Sequence, residues 1–202
     1  RILAESFVGH SCAVLVLSSD IKSMPTSLEL FFSPAEFATL KERNLSETVC
    51  VVFDVLRATS SMMTALSNGA EAIIPVVEIS EAVALREKNP DYLLAGERDG
   101  LRIRAEQTGS VDFDFGNSPR EFTPETVINK TIVMTTTNGT RALQACAGAK
   151  HIFIGSFLSL RPLANWIIEQ QPPNLILVCS GTYEEAALED TLAAGALCEK
   201  IW

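Results

Sequence analysis

Long apolar runs are missing from this 202-residue sequence. The longest, Ala13–Leu17, falls far short of the roughly 20 residues that span a bilayer, and it lacks the flanks of a signal peptide. A membrane partner is therefore not expected, and the expected location is cytoplasmic. Histidine is scarce, at two, and no two of the five cysteines form C-x-x-C, so a structural zinc site lacks ligands. Three of the cysteines (Cys50, Cys146 and Cys179) lie in apolar or small-residue runs, as buried reduced thiols do. Positive charge is in short supply, with 16 Lys+Arg against 25 Asp+Glu and a formal charge of −9. A surface of that sign repels polyanions and excludes nucleic acid as the main partner. A small anion is still allowed where a few Arg side chains or a metal ion focus positive potential in one cleft. No P-loop, no G-x-G-x-x-G after a strand and no G-x-S-x-G elbow occurs, which removes three common nucleotide-binding and hydrolase classes.

What is present is enough to build a core. Hydrophobic residues make up 47%, and the length favours one domain. Residues 1–27 mix short apolar pieces with Ser-rich breaks and read as an atypical N-terminal arm. Residues 28–202 read as a single domain. Leu28–Phe32 suits a strand, and Ser33-Pro34-Ala35-Glu36 opens a helix with a capping box.

A strand–loop–helix–strand unit then recurs. Thr48–Phe53 is a continuous apolar run, as in a strand buried on both faces. Asp54 ends it, a helix follows over about Ser60–Ser67, Asn68-Gly69 closes the helix, and Ala72–Val77 is the next strand. The second copy runs through Thr131–Met134, the loop Thr135–Thr140, a helix over Arg141–Ala147 closed by Gly148, and a strand over His151–Ile154. The copies align best with Gly69-Ala70 on Gly148-Ala149. A third unit has a strand at Asn174–Val178, a loop from Cys179, and a helix whose apolar face is expected to carry Leu188, Leu192, Ala196 and Leu197. Between the copies, residues 91–123 read as a long Gly-, Asp- and Arg-rich loop, apart from a strand near Tyr92-Leu93-Leu94. The pattern predicts a three-layer α/β/α fold with a largely parallel or mixed sheet of repeated βα units. In such sheets ligands bind at the C-terminal ends of strands.

The residues there are chemically apt. Asp54 supplies hard oxygens for a cation, Arg57 a fork for phosphate or sulfonate, and Thr59-Ser60 open a helix whose N–H groups favour anions. A plain capping loop with a structural Asp–Arg pair is the alternative. Thr135–Thr140 reads as an oxyanion cradle or as a Thr-rich cap. In the third loop, Ser180-Gly181 lead to Glu189 and Asp190, about 100° apart on a helix, and Asp190 is taken to face the site. Glu97-Arg98 and Asn117-Ser118 add a carboxylate, a guanidinium, an amide and a hydroxyl. Asp112-Phe113-Asp114 imitates a phosphatase motif but follows no apolar strand.

These loops, in this order, resemble the 2-phosphosulfolactate phosphatase family, also called the ComB family. The matching text is Val52-Phe53-Asp54-Val55-Leu56-Arg57-Ala58-Thr59-Ser60, Gly96-Glu97-Arg98, Gly116-Asn117-Ser118-Pro119, Thr136-Thr137-Asn138-Gly139-Thr140, and Cys179-Ser180-Gly181 with Leu188-Glu189-Asp190. The resemblance implies a Mg²⁺-dependent phosphatase that converts 2-phospho-3-sulfolactate to 3-sulfolactate and phosphate, on a route to coenzyme M. Residues 1–27 depart from the short strand that usually opens a family chain, and further sequence is expected beyond Trp202. On this reading Asp54, Glu97 and Asp190, or a subset, hold Mg²⁺. Asp54, Arg57 and Asp190 act on the phosphoryl group and the attacking water. Thr59, Ser60, Arg98, Asn117, Ser118, Thr136, Thr137, Asn138, Gly139, Thr140, Ser180 and Gly181 bind the small anionic phosphate and sulfonate substrate. A homodimer is compatible with it. The rival readings are a Mg²⁺-dependent phosphatase of another small ester and a non-catalytic anion-binding module. A covalent route through Cys179 ranks lower, because position 185 is Glu and the Cys-x₅-Arg geometry is missing.

Overall fold

The computed structural model describes the strand Ile2–Leu3 and residues 27–202. Among these residues the chain runs β1 (Ile2–Leu3), β2 (Ser27–Phe31), α1 (Phe37–Lys41), β3 (Thr48–Phe53), α2 (Ala58–Ser67), β4 (Ala72–Pro75), α3 (Ile79–Lys88), β5 (Leu93–Arg98), β6 (Leu101–Arg102), α4 (Ala105–Thr108), α5 (Pro124–Val127), β7 (Thr131–Thr135), α6 (Gly139–Ala145), β8 (His151–Gly155), α7 (Leu160–Gln170), β9 (Asn174–Cys179) and α8 (Leu188–Ile201). The Ala13–Leu17 run, His10, Cys12 and most of the arm expected over 1–27 lie outside the described residues. No helix among the described residues is long and apolar enough to cross a membrane.

The α/β architecture with helices on both faces of its sheets is as expected, but the strands divide between two sheets. One has the order β2-β9-β3-β8 and is all parallel. The other has the order β1-β4-β7-β5-β6, with β4, β7 and β5 parallel and β1 and β6 antiparallel at the edges. The two recurrent units explain the division. β3–α2–β4 leaves the first sheet and enters the second, while β7–α6–β8 returns. Each unit's strands pair with the other's, β3 with β8 and β4 with β7. The closing glycines Gly69 and Gly148 share the same left-handed φ of 94°, the conformation a helix C-terminus favours and Gly adopts most readily.

Alternation along the central strands shows how the layers pack. Cys50 and Val52 of β3 meet Ile132 and Met134 of β7 in one core, with Ala58, Met62 and Ala65 of α2 and Ala142, Ala145 and Cys146 of α6. α2 and α6 thus serve both sheets at once. Val49, Val51 and Phe53 face the other way, onto Leu163 and Ile167 of α7 and Ala193, Ala194 and Leu197 of α8. Val133 and Leu94 pack beneath Ala82 of α3.

Two expectations are corrected. Residues 91–123 are not one long loop: they hold the β5–β6 hairpin, α4 and a 3₁₀ turn at Pro119–Glu121. The buried face of α8 is Asp190, Ala193, Ala194, Leu197 and Ile201, whereas Leu188 and Leu192 are 71% and 56% exposed. The small alanines let α8 lie close on β9 and β3, and that contact sets the helix's rotation.

Candidate active site

Two helix N-termini and the ends of both central strands meet at Asp54. In β3, Phe53 is level with Cys179 of β9 and Gly155 of β8, so Asp54 leaves the sheet beside Ser180. Its Oδ1 accepts the Ala58 N–H at the start of α2, 3.0 Å away. Thr59 Oγ1 accepts from Asp54 N at 3.1 Å and donates to Asp54 O at 2.9 Å, and Ser60 Oγ returns to Val55 O at 2.7 Å. From the second sheet, α6 brings Gly139 so near that a Cβ there would lie 2.6 Å from Asp54 Oδ2 and 2.8 Å from Ala58 Cβ. Only Gly allows this approach.

Asp190, on the buried face of α8, holds two loops together. Its Oδ1 accepts Val55 N at 2.7 Å and its Oδ2 accepts Gly181 N at 3.1 Å. Ser180 Oγ donates to Phe53 O at 2.7 Å. Burial raises the Asp190 carboxyl to about 7 against those two N–H bonds, and the negative charge of Asp54 adds to the rise. Asp54 is likewise held above the usual carboxylate range, first by burial and then by the charge of Glu97.

Glu97 comes from β5, where Gly96 pairs with Thr135 of β7. Its Oε1 accepts Thr137 N at 2.8 Å, while Oε2 accepts Gly100 N at 2.7 Å and the Thr137 hydroxyl at 3.3 Å. Arg57 N-caps α2 and donates to Gly100 O at 3.1 Å. Gly100 thus links Arg57 to Glu97, a backbone link with no signal in the sequence beyond the turn itself. The cluster of Asp54, Arg57, Thr59, Glu97, Thr137, Gly139, Ser180, Gly181 and Asp190 is the assembled part of the predicted site.

The remaining predicted residues have other partners or, for Asn117 and Asn138, an amide oxygen that no described residue bonds. Arg98 donates to Glu97 O, Val77 O and Thr135 Oγ1 at 2.8, 2.9 and 3.0 Å, which ties β5 to the end of β4. Thr136 and Thr140 cap one another through three hydrogen bonds. Ser118 opens the 3₁₀ turn at Pro119–Glu121, where Glu121 accepts Gly116 N and pairs with Arg102. That turn holds Asn117, whose carbonyl accepts the Ser61 hydroxyl at 3.0 Å while its own Oδ1 is buried and without a partner among the described residues. Asn138 Oδ1 is buried and unpartnered in the same way. Such orphans cost about 1–3 kcal/mol each, and Asn138 directly precedes the Gly139 that presses on Asp54, which makes its oxygen a candidate ligand atom. Asp112 and Asp114 pin backbone and arginines (Ala105 N with Arg104, and Leu94 N with Arg86). Cys179 is sealed in the core, and burial followed by the charge of Asp190 pushes its thiol up to about 12.

Comparison with known proteins bears on what this cluster is. Residues 36–202 match the sequence profile described as 2-phosphosulpholactate phosphatase. The chain belongs to the 2-phosphosulpholactate phosphatase family. Proteins named probable 2-phosphosulfolactate phosphatase are 46% identical over 155 residues in Caldicellulosiruptor saccharolyticus, 43% over 168 in Caldanaerobacter subterraneus and 40% over 163 in Clostridium novyi. These alignments cover 75%, 82% and 80% of this chain and 61%, 66% and 66% of the relatives, so the chain spans somewhat under two thirds of their length. Every residue of the cluster lies inside the stretch matched to the 2-phosphosulpholactate phosphatase family.

Proposed function

We propose that the Asp54 cluster hydrolyses a phosphate monoester of a small anionic acid, with 2-phospho-3-sulfolactate as the substrate and Mg²⁺ as the cofactor. The observation that carries the reading is Asp54 itself, buried at the junction of both sheets, beside a second carboxylate and under the N-termini of α2 and α6. The relatives' names supply the substrate.

The donors available suit a hard cation. Among the described residues no three His, Cys, Asp or Glu side chains gather as metal ligands, and both oxygens of Glu97 and of Asp190 already accept N–H bonds. Asp54 would be the carboxylate that holds such a cation, with the amide oxygen of Asn138, next to Gly139, as a further hard donor. When bound there, Mg²⁺ supplies positive charge to phosphoryl oxygens. The chain's own groups do the rest. Arg57 sets a guanidinium beside the transferring group, and the positive end of the α2 dipole points at the same place. Asp54 orients the attacking water, and Asp190 keeps the Val55 and Gly181 loops in register with it.

The test is phosphate release from 2-phosphosulfolactate and from phenyl phosphate, each with Mg²⁺ and with EDTA. The reading expects release that requires Mg²⁺ and favours the sulfonate-bearing ester. No release from either ester by the folded protein overturns it in favour of an anion-binding module.

A further inference from the structure

We infer that Arg141 is a further substrate-binding residue of this site, taking the second anionic group of the ester in exchange for its ion pair with Glu184. The inference rests on the phosphatase reading above and deepens it.

Arg141 lies in the first turn of α6, two residues after the Gly139 that presses on Asp54 and three after the orphaned Asn138. Side chains on a helix lean toward its N-terminus, and the Arg141 guanidinium extends from that first turn. It meets Glu184, with Nη2 3.5 Å from Oε1. Glu184 belongs to the loop between β9 and α8, and that loop is fastened to the site at its base, where Gly181 N bonds Asp190 and Asp190 bonds Val55, the neighbour of Asp54. The Arg141–Glu184 pair therefore joins the first turn of α6, which begins at Gly139, to the loop that Asp190 anchors.

The chemistry of the pair favours exchange. Both side chains are well exposed, at 45% and 62%, and an ion pair of that kind contributes little to stability. A carboxylate or sulfonate delivered by a substrate can displace Glu184 at small cost, and a guanidinium fork suits either group. Arg57 sits with Gly100 on the Glu97 side, and Arg98 is engaged by Val77 and Thr135. A substrate with phosphate at Asp54 and Arg57 needs another cation for its remaining charge, and Arg141 stands on the open side of α6.

The experiment compares Arg141→Ala, Arg141→Lys and Glu184→Gln with wild type on 2-phosphosulfolactate, on 2-phospholactate (which lacks the sulfonate) and on phenyl phosphate (which has no second anion). Arg141→Ala should raise KM for 2-phosphosulfolactate roughly tenfold or more with kcat within about threefold, leave phenyl phosphate unchanged, and be partly rescued by Lys. A similar rise with 2-phospholactate assigns the carboxylate to Arg141, and no rise there assigns the sulfonate. Glu184→Gln breaks the same ion pair but frees the guanidinium, so it should lower KM for 2-phosphosulfolactate or leave it alone. Equal losses in Arg141→Ala and Glu184→Gln, or equal losses on all three esters, would mean a merely structural pair and overturn the inference while the phosphatase reading stands. Absence of turnover in wild type overturns both.

Discussion

Asp54 has a carboxyl with one oxygen on the α2 N-terminus and the other against the Cα of Gly139. Gly139→Ala tests that contact without altering charge. The new methyl would stand 2.6 Å from Oδ2, so either the carboxylate or α6 must move. The expected result is a fall in phosphate release of tenfold or more with a loss of about 1–3 kcal/mol in urea unfolding. Asp190 gives a pH prediction. Its folded carboxyl titrates at about 7 against an ordinary 3.8, so between those values the folded protein holds a proton that the unfolded chain has released. Stability is greatest at the acid end of that window and declines as pH rises through it, by at most about 1.4 kcal/mol per pH unit. Asp54 acts in the same direction. Urea midpoints measured in EDTA between about pH 5 and pH 7 should decline in wild type and decline less in Asp190→Asn. That variant is also less stable at the acid end, because an amide cannot accept both the Val55 and Gly181 N–H bonds. Residue identity alone makes the carboxylates and Arg57 legible as chemistry. It does not show that Arg98 is engaged by Val77, or that Thr136 and Thr140 satisfy each other, because those outcomes depend on which partner folding brings near.

At the level of elements, the strands are the most legible part. β3, β7 and β9 are continuous apolar runs and lie where those runs lie. Helix rotation is harder. α8 carries leucines at 188, 192 and 197 and alanines at 193, 194 and 196, and hydropathy alone favours the leucine side at its start. Close packing against β3 and β9 selects the alanines instead. The consequence is measurable: Leu197→Ala should cost about 2–5 kcal/mol, as a fully buried leucine does, and Leu192→Ala should stay within about 1 kcal/mol. α7 carries Leu160, Leu163, Ala164 and Ile167 at helical spacing on its buried face. That spacing is plain in the sequence, although it lies outside the recurrent strand–loop–helix pattern. Gly148 is a second kind of control. Its φ of 94° is left-handed and, chain neighbours aside, no atom of the described residues lies within 4 Å of the place a Cβ would take there, so Gly148→Ala should cost about 1–2 kcal/mol and leave phosphate release intact, in contrast to Gly139→Ala.

For the whole molecule, the duplication explains why the predicted residues gather in one cluster. Two copies exchange strands between two sheets, so the loops after β3 and β7 arrive from different sheets at one place. The repeat is readable from Gly69-Ala70 and Gly148-Ala149, and so is the location of ligands at strand ends. The division into two sheets is not, because hydrophobic periodicity records that a strand is buried on both faces but not which strands lie beside it. The acidic surface, with a net charge of −9, leaves anion capture to the few arginines and the helix ends at this junction.

The role proposed for Asp54 is that of the working group in a cation-dependent phosphatase. It is tested by phosphate release from 2-phosphosulfolactate by wild type and Asp54→Asn at saturating Mg²⁺, with urea unfolding to confirm that both are folded. Asn is nearly isosteric but uncharged, and the variant should lose roughly a hundredfold or more of the rate. It should remain folded, with unfolding no easier than in wild type at neutral pH, since the buried charge it removes is itself unfavourable. A folded Asp54→Asn that releases phosphate as fast as wild type would contradict that role.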